Sequence, residues 1–224
     1  MKRLATLLLF VGIFFQGFSQ LDERVFGQIG GTVGFDFTHS SGTVLGTEYS
    51  NNQINYASVI FAGRMNFLEL TNNSSMSLAV HPTFGIGRAY NEIGGGSTFS
   101  LRVPLFIELN IGAASTVSTR KNEGFAIGIG AQYVRYPMFG NGTVPVAKDK
   151  NNKVVAMSAI WTEPVLHMGY KFFGKNYYCR EINLRASYAM PFGTVNNDTK
   201  LIKSNIDSFN SMGVMLSFLQ YINY

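Results

Sequence analysis

The stretch Phe99-Ser-Leu-Arg-Val-Pro-Leu-Phe-Ile-Glu-Leu-Asn-Ile111 decides the fold, because every second residue in it is apolar. All odd positions are apolar, whereas the even positions include Arg102, Glu108 and several polar residues. Side chains of a β-strand alternate between two faces, so the segment would present one apolar face and one face with two charges. About ten such residues, tilted near 45°, span roughly 23 Å, close to the ~25 Å apolar band of an outer-membrane barrel. The stretch therefore predicts one membrane-spanning strand.

The same alternation recurs in seven further segments. They are residues 25–38, 57–67, 78–86, 125–133, 164–172, 182–190 and 211–218. With the opening stretch they make eight strands, the smallest even number that closes a bacterial outer-membrane barrel. Residues 154–161 are apolar on both faces, which predicts either a bulge or an extended loop arm before the sixth strand. The predicted fold is an all-β, eight-stranded antiparallel up-and-down transmembrane β-barrel.

The connections between these strands mostly alternate in length. The longer, polar or glycine-rich connections are residues 40–53, 89–97, 138–153 and 193–205. Shorter turns lie at residues 71–75 and 173–179, while residues 113–122 are an exception because they are long for a turn. Long outer loops and short periplasmic turns are typical of outer-membrane barrels. The pattern predicts that both termini are periplasmic and that the four longer loops face outward.

The first residues predict the compartment. Lys2 and Arg3 precede an apolar run at residues 7–15, and small residues follow at 17–19. This order is typical of a secretory signal peptide. The apolar run is shorter than the ~20 residues that a membrane helix needs. We expect a signal peptide at 1–19 and the barrel at 20–224, located in the outer membrane of a Gram-negative bacterium.

Composition indicates a surface that is only partly in contact with water. Charged residues make up 14% of the chain, against roughly 25% in ordinary soluble domains. The formal charge of +5 falls to +3 without Lys2 and Arg3, which is too small and too dispersed to indicate nucleic-acid binding. The single cysteine, Cys179, cannot form an internal disulfide. Neither nucleic acid nor a redox role is therefore expected.

The last strand carries the most specific motif. Ser211-x-Gly213-x-x-Leu216-x-Phe218 has the order polar, glycine, apolar, aromatic. With this motif the chain resembles the small eight-stranded outer-membrane β-barrel proteins widespread in Bacteroidota, which are similar in architecture to the barrel of outer-membrane protein A. In that family the motif is the signal read by the barrel-assembly machinery, and its aromatic residue usually ends the chain, whereas six residues follow Phe218 here. The resemblance implies an outer-membrane location and this assembly route, without a single activity.

A soluble eight-stranded barrel of the lipocalin type is the main structural alternative, since it also alternates and can follow a signal peptide. Such a barrel turns its apolar faces inward and covers its outside with charge. Here the charged strand residues are few and share faces with glycine and serine. Small side chains suit the narrow interior of an eight-stranded barrel, so the membrane barrel is favoured.

Eleven polar residues fall on the faces opposite the apolar ones, and we expect them to form a network inside the barrel. They are Asp36, Arg64, His81, Arg102, Glu108, Gln132, Glu163, His167, Lys171, Glu181 and Arg185. Four are basic and four are acidic, so the interior is expected to be neutral by pairing. Arg64, Glu108 and Arg185 are the expected centre of the network. An interior only wide enough for side chains predicts a closed lumen.

Two patterns suggest chemistry only weakly. His81, His167 and Glu108 are residue types that bind zinc, but the sequence does not bring them together, and hydrogen-bonded interior histidines are expected instead. The segment His39-Ser-Ser41 has the His-x-Ser spacing of some outer-membrane lipid A deacylases. Its two serines fall in a predicted loop, and no acidic partner is identifiable. No catalytic residue, metal ligand or cofactor is therefore predicted.

Three functions are compatible with the sequence. They are a non-enzymatic structural or partner-binding barrel acting through its outer loops or lipid face, a small diffusion channel, and a lipid-modifying esterase. The first is favoured, with outer-membrane lipid and the barrel-assembly machinery as partners. Tyr49, Tyr90, Tyr136 and Phe139 near the outer rim suggest contact with another envelope protein or a glycan, although rim aromatics are more often the interfacial girdle.

Overall fold

The computed structural model describes residues 24–44, 47–91, 94–136, 145–148, 154–156, 159–174, 177–189, 196–197 and 206–222. Within these residues the chain forms twelve β-strands and no helix. The strands are β1 (Val25–Val44), β2 (Thr47–Thr71), β3 (Ser74–Val80), β4 (Thr83–Asn91), β5 (Gly94–Gly112), β6 (Glu123–Tyr136), β7 (Pro145–Lys148), β8 (Val154–Ala156), β9 (Ala159–Phe173), β10 (Cys179–Ala189), β11 (Asn196–Asn197) and β12 (Ile206–Tyr221). The described part contains no helix that is long and apolar enough to cross a membrane.

Nine of these strands form a closed antiparallel ring. The order is β1, β12, β10, β9, β6, β5, then β3 and β4 together, then β2, which pairs with β1 and closes the ring. β3 and β4 share one position because the strand is interrupted at His81 and Pro82. Proline has no N–H to donate to the ladder. The described residues therefore confirm the all-β, eight-stranded antiparallel up-and-down barrel.

The two ends of the barrel differ in their connections. The terminal end holds the start of β1, the end of β12 and the connections 72–73, 113–122 and 174–178. At the loop end, the strands lead into the connections 45–46, 92–93, 137–158 and 190–205. The turns predicted at 71–75 and 173–179 are present, since β2 ends at Thr71 and β10 begins at Cys179.

The outer face of the ring is apolar between its ends. On β5 the alternate residues from Phe99 to Ile111 face outward, while Arg102, Phe106 and Glu108 are buried inside. Among the side chains that the structure describes on the ring strands, the charged ones that are exposed or partly exposed all lie near strand ends. They are Glu48, Glu69, Arg88, Glu123, Arg135 and Arg180. The inner face carries the remaining charges, so the polarity of this barrel is opposite to that of a soluble barrel.

Two of the predicted loops are largely strand. β1 continues to Val44 and β2 begins at Thr47, so most of 40–53 is a paired ladder in which Ser40 lies opposite Asn51. β4 likewise runs to Asn91 and β5 begins at Gly94, within the loop predicted at 89–97. Ser, Thr, Asn and Gly are common in loops, but here antiparallel pairing satisfies their backbone groups beyond the apolar band. Composition alone gave the wrong assignment for these residues.

The arm before the sixth predicted strand is a small hairpin. β8 pairs with β7, so the extended loop arm predicted within 154–161 is confirmed for Val154–Ala156. β7 also lies against β2, β4 and β5. The hairpin therefore contacts the β5–β2 side of the ring at the loop end. Most of the predicted loops 138–153 and 193–205 lies outside the described residues, as does the predicted signal peptide.

Register shifts change which residues face inward. In β2 a shift between Asn55 and Ala57 moves the buried positions from the odd residues Gln53 and Asn55 to the even residues from Ser58 onward. β1 has a shift between Gly31 and Asp36, although its buried residues are even-numbered on both sides of the shift. Such irregularities increase local twist and re-aim side chains. They bring Asp36, Asn55 and Ser58 to one place inside the barrel.

Candidate functional site

The candidate site is the polar interior of the barrel. The structure places all eleven predicted interior residues there, each at most 6% exposed. They do not form one network around a single centre. They separate into groups at different heights along the barrel, described below from the loop end to the terminal end.

The loop-end group contains an Arg–Asp ion pair. Arg102 on β5 donates from Nη1 to Asp36 Oδ1 and from Nη2 to Thr38 Oγ1, the latter at 2.7 Å. The other oxygen of Asp36 accepts from Asn55 Nδ2 at 2.7 Å and from Ser58 Oγ at 3.0 Å. Both carboxylate oxygens and two guanidinium nitrogens therefore have partners, as a buried ion pair requires.

A second carboxylate near the loop end has neutral partners. Glu163 on β9 accepts from Trp161 Nε1 and from Gln132 Nε2, each at 2.8 Å. These donors come from an indole and an amide, so Glu163 is held without a cation in ion-pairing contact among the described residues. The predicted residues Gln132 and Glu163 thus form a pair of their own.

Two histidines and two carboxylates make a chain across the middle of the lumen. His167 Nδ1 lies 2.8 Å from Glu108 Oε1, and its Nε2 lies 3.2 Å from Glu181 Oε1. His81 Nε2 lies 3.8 Å from the same Glu108 oxygen. The Asn183 side-chain amide approaches His167 Nε2 to 2.6 Å. We call His81, Glu108, His167 and Glu181 the histidine–carboxylate chain; it joins strands β5, β9 and β10 with the β3–β4 break.

Two inward-facing glycines make room for this chain. A Cβ at Gly128 would lie 2.8 Å from Glu108 Cγ and 3.4 Å from His167 Nδ1. A Cβ at Gly169 would lie 2.3 Å from Glu181 Oε1. A side chain at either position would occupy the space in which the imidazole meets its carboxylates, so these glycines are part of the site.

Arg185 lies next to the histidine–carboxylate chain, where it contacts His81. Among the described residues, no carboxylate forms an ion pair with Arg185. Its Nη1 donates to Thr83 Oγ1 at 3.3 Å, and its Nη2 donates to His81 Nδ1 at 3.4 Å. The guanidinium carbon lies 5.5 Å from the centre of the Phe106 ring. Aromatic faces attract cations within about 6 Å, so this ring takes part of the role of a counter-ion.

The terminal-end group contains two cations, Arg64 and Lys171. Arg64 Nη1 donates to Asn110 Oδ1 at 2.7 Å and to the Tyr221 hydroxyl at 3.2 Å. Lys171 Nζ donates to the same oxygen of Asn110. The Arg64 guanidinium carbon lies 4.3 Å from the centre of the Phe26 ring, and Lys171 Nζ lies 6.0 Å from that of Tyr221. The Tyr221 hydroxyl donates to Glu181 Oε2 at 3.1 Å, which links this group to the histidine–carboxylate chain.

The turn 113–122 closes the terminal end over this group. Ala113 and Ala114 are fully buried, and the chain enters the turn with positive φ at Gly112 and Ala114. Arg64 Nη2 donates to the Ala114 carbonyl, while the Ser115 carbonyl accepts from Asn66 Nδ2 at 2.7 Å and from Ser75 Oγ at 2.6 Å. The residues that the sequence marked only as a long turn are therefore a cap held by the interior.

The expected centre of the network is not formed. Arg64 and Arg185 make no ion pair with Glu108, which instead contacts the two histidines. Asp36 and Arg102 pair as expected, whereas Arg64, Lys171 and Arg185 contact amides, hydroxyls, carbonyls and aromatic faces in place of carboxylates. Glu163 likewise contacts an amide and an indole in place of a cation. Asn110, Tyr221 and Phe26 are not among the eleven predicted residues, although the alternation of β5 does place Asn110 on the inner face.

The remaining predicted residues lie elsewhere. His39 is partly buried near the loop end, with Nδ1 2.9 Å from Asn52 Oδ1, and no carboxylate in the described part contacts it. Tyr90 is exposed, whereas the Tyr49 and Tyr136 side chains and all of Phe139 lie outside the description. The described residues contain no group of three or more His, Cys, Asp or Glu arranged to hold a metal ion. In the assembly motif Ser211 and Gly213 face inward, while Leu216 and Phe218 face outward.

No protein-family model and no curated protein matches the sequence. A solved structure that resembles the chain is the crystal structure of the outer membrane protein OprG from Pseudomonas aeruginosa. It is 12% identical, the match covers 90% of this chain and 98% of that chain, and the TM-score is 0.43. A likeness at this level carries no argument about function, and membership of the Bacteroidota barrel family stays a prediction.

Proposed function

We propose that the chain is a closed, non-enzymatic barrel of the outer membrane of a Gram-negative bacterium, with a structural or partner-binding role. The membrane location is supported by the apolar outer face and by exposed charges confined to strand ends. The terminal end is then the periplasmic side, since short turns and both chain ends belong there in such barrels. The loop end faces outward.

A closed lumen is supported by the filling of the interior, which is the observation that carries this proposal. Large side chains of both polarities are fully buried inside, among them Arg64, Phe106, His167 and Met215. The cap at 113–122 adds a second barrier at one end, and β7 lies against three ring strands at the other. An eight-stranded barrel encloses only enough width for side chains, so the described interior groups support a filled lumen.

A partner-binding role is supported by the part of the sheet that extends past the apolar band at the loop end. There β1 pairs with both β2 and β12, forming three extended strands whose residues are mainly Ser, Thr, Gly and Asn. A paired polar extension of this kind presents a surface to an envelope protein or a glycan. The partner is found by mild detergent extraction followed by mass spectrometry of the proteins that co-purify.

Conductance tests the closed lumen. We expect the purified wild-type protein to show no steady conductance in planar bilayers. Replacement of residues 114–119 by a Gly-Ser segment of equal length removes side chains of the cap but leaves the histidine–carboxylate chain, and we expect it to remain non-conducting as well. Reproducible open channels from the wild-type protein alone would favour the diffusion channel, and channels only from the replacement would show that the cap alone closes the lumen.

Absence of enzymatic activity is tested directly on the one weak catalytic pattern. The folded protein is incubated with lipid A, and released acyl chains are measured beside a His39→Ala variant. We expect no release above background from either protein. Release that depends on His39 would support the esterase.

A further inference from the structure

The terminal-end group has two fully buried cations without an acidic partner. Arg64 is 2% exposed and Lys171 is 0% exposed. The ion pairs among the described residues involve Asp36, Glu108 and Glu181 with other partners. In the described contacts, Glu181 is linked to Arg64 through the hydroxyl of Tyr221 and forms no ion pair with either cation. Buried charges normally have an opposite charge in contact, so this arrangement is incomplete.

Both cations donate to the same neutral oxygen. Arg64 Nη1 and Lys171 Nζ each contact Asn110 Oδ1, so the two positive groups are close neighbours. An amide oxygen offers two lone pairs but no net negative charge. It orients the two cations towards each other without offsetting their repulsion, which is strong away from water.

Some hydrogen-bond donors of Arg64 and Lys171 have no acceptor among the described residues. Arg64 Nε is buried and has no hydrogen-bond acceptor among the described residues. Lys171 Nζ carries three N–H donors and uses one of them, on Asn110. The Phe26 and Tyr221 rings flank the cations, and the cap at 113–122 separates them from solvent at the terminal end. Unused donors, excess positive charge and exclusion of bulk water together describe an anion site.

We propose that a small inorganic anion of the size of chloride binds between Arg64 and Lys171. It accepts from the unused donors of Lys171 Nζ beside the Arg64 guanidinium and supplies a negative charge in direct contact, which the carboxylates of the chain do not. A monatomic ion is favoured over phosphate or sulfate because the interior of an eight-stranded barrel leaves little space beyond its side chains. The cap at 113–122 encloses the ion, which acts as a structural counter-ion.

Halide-dependent stability tests the site. Urea unfolding of the folded protein is followed in vesicles while chloride rises from ~1 to ~300 mM and gluconate keeps the ionic strength constant, since a ligand that binds only the folded state stabilises it in proportion to the logarithm of its concentration above Kd. We expect the wild-type midpoint to rise with chloride. The midpoint of Lys171→Met should not respond, whereas that of Arg88→Gln, which removes an exposed cation, should respond like the wild type.

A second measurement uses the wild-type protein and therefore does not depend on whether Lys171→Met folds. Crystals of the wild-type protein grown or soaked in bromide should show an anomalous scattering peak within contact distance of Lys171 Nζ and beside the Arg64 guanidinium. A midpoint that does not depend on chloride in the wild type, together with no bromide peak at this position, would overturn the proposal and show that Lys171 is accommodated as a neutral amine. An equal chloride response in Lys171→Met and wild type would also overturn it.

Discussion

The loop-end group and the terminal-end group both bury an arginine, but they compensate its charge in different ways. Arg102 contacts Asp36 directly, and both oxygens of that carboxylate have donors. Arg64 contacts an amide, a hydroxyl, a backbone carbonyl and the face of Phe26. The first group is complete as a pair of side chains. The second group also includes the cap at 113–122, whose Ala114 carbonyl accepts from Arg64.

This difference shows that charge balance along a sequence does not specify charge pairing in a barrel. The eight charged interior residues are balanced in number, yet only Asp36 and Arg102 form an Arg–carboxylate contact. Glu108 and Glu181 contact the imidazole between them instead. Four substitutions test how far the two regions differ, and each unfolding measurement uses the fluorescence of Trp161, the single tryptophan of the chain.

The largest effect is expected at the loop-end group. Asp36→Ala leaves Arg102 buried without a counter-charge, which costs about 3–5 kcal/mol of unfolding free energy. Urea unfolding in vesicles measures the loss. The double variant Asp36→Ala with Arg102→Met should recover much of it, since both charges are then absent. A double variant no more stable than Asp36→Ala would mean that Asp36 acts mainly through Asn55 and Ser58.

Glu108→Ala should be next in size. It removes the partner of His167 Nδ1, but His167 keeps Glu181 at its other nitrogen, so we expect a loss of about 2–3 kcal/mol. Glu108→Gln keeps the shape and serves as the matched control, with a smaller loss. If both variants unfold at the same urea concentration as the wild type, the histidine–carboxylate chain does not stabilise the barrel.

Gly128→Ala tests whether the histidine–carboxylate chain needs the empty space beside Gly128. The new methyl group meets Glu108 Cγ at 2.8 Å, and overpacking of this kind should cost about 1–2 kcal/mol. Gly213→Ala is the control, because its methyl group meets the Ser187 hydroxyl at 2.7 Å, the end of a side chain that can rotate away. The expected order of urea midpoints is wild type, Gly213→Ala, Gly128→Ala. If Gly213→Ala unfolded at a lower urea concentration than Gly128→Ala, the histidine–carboxylate chain would not be tightly packed against Gly128.

Arg64→Lys should have the smallest effect. It keeps the charge but loses the planar guanidinium over Phe26 and part of the donor set, for a loss of about 1 kcal/mol. Its specific consequence should be at the cap, where the Ala114 carbonyl loses a donor. Hydrogen exchange at residues 113–119 should become faster in Arg64→Lys than in Arg88→Lys. Equal exchange rates at residues 113–119 in the two variants would show that the cap does not depend on the Arg64 guanidinium.

Much of the barrel follows from local sequence. The strict alternation of residues 99–111 predicts the faces of β5 correctly, because side-chain direction in a strand depends only on the two-residue repeat of the backbone. The loop prediction for residues 40–53 was wrong for most of the segment. The polar segment 40–53 contains the same residue types as a loop, and its pairing depends on β12 and on the opposite arm of its own hairpin.

The sequence by itself determined the closed eight-stranded sheet, its apolar outside and the identity of the side chains inside. These properties depend on residue spacing along one strand and on strand number. Only the tertiary structure decided which interior groups meet. Arg64 and Tyr221 are 157 residues apart, and Arg102 and Asp36 are 66 apart. Their contacts depend on the register of every intervening strand and on bulges such as that at Asn55, which alternation along one strand does not encode.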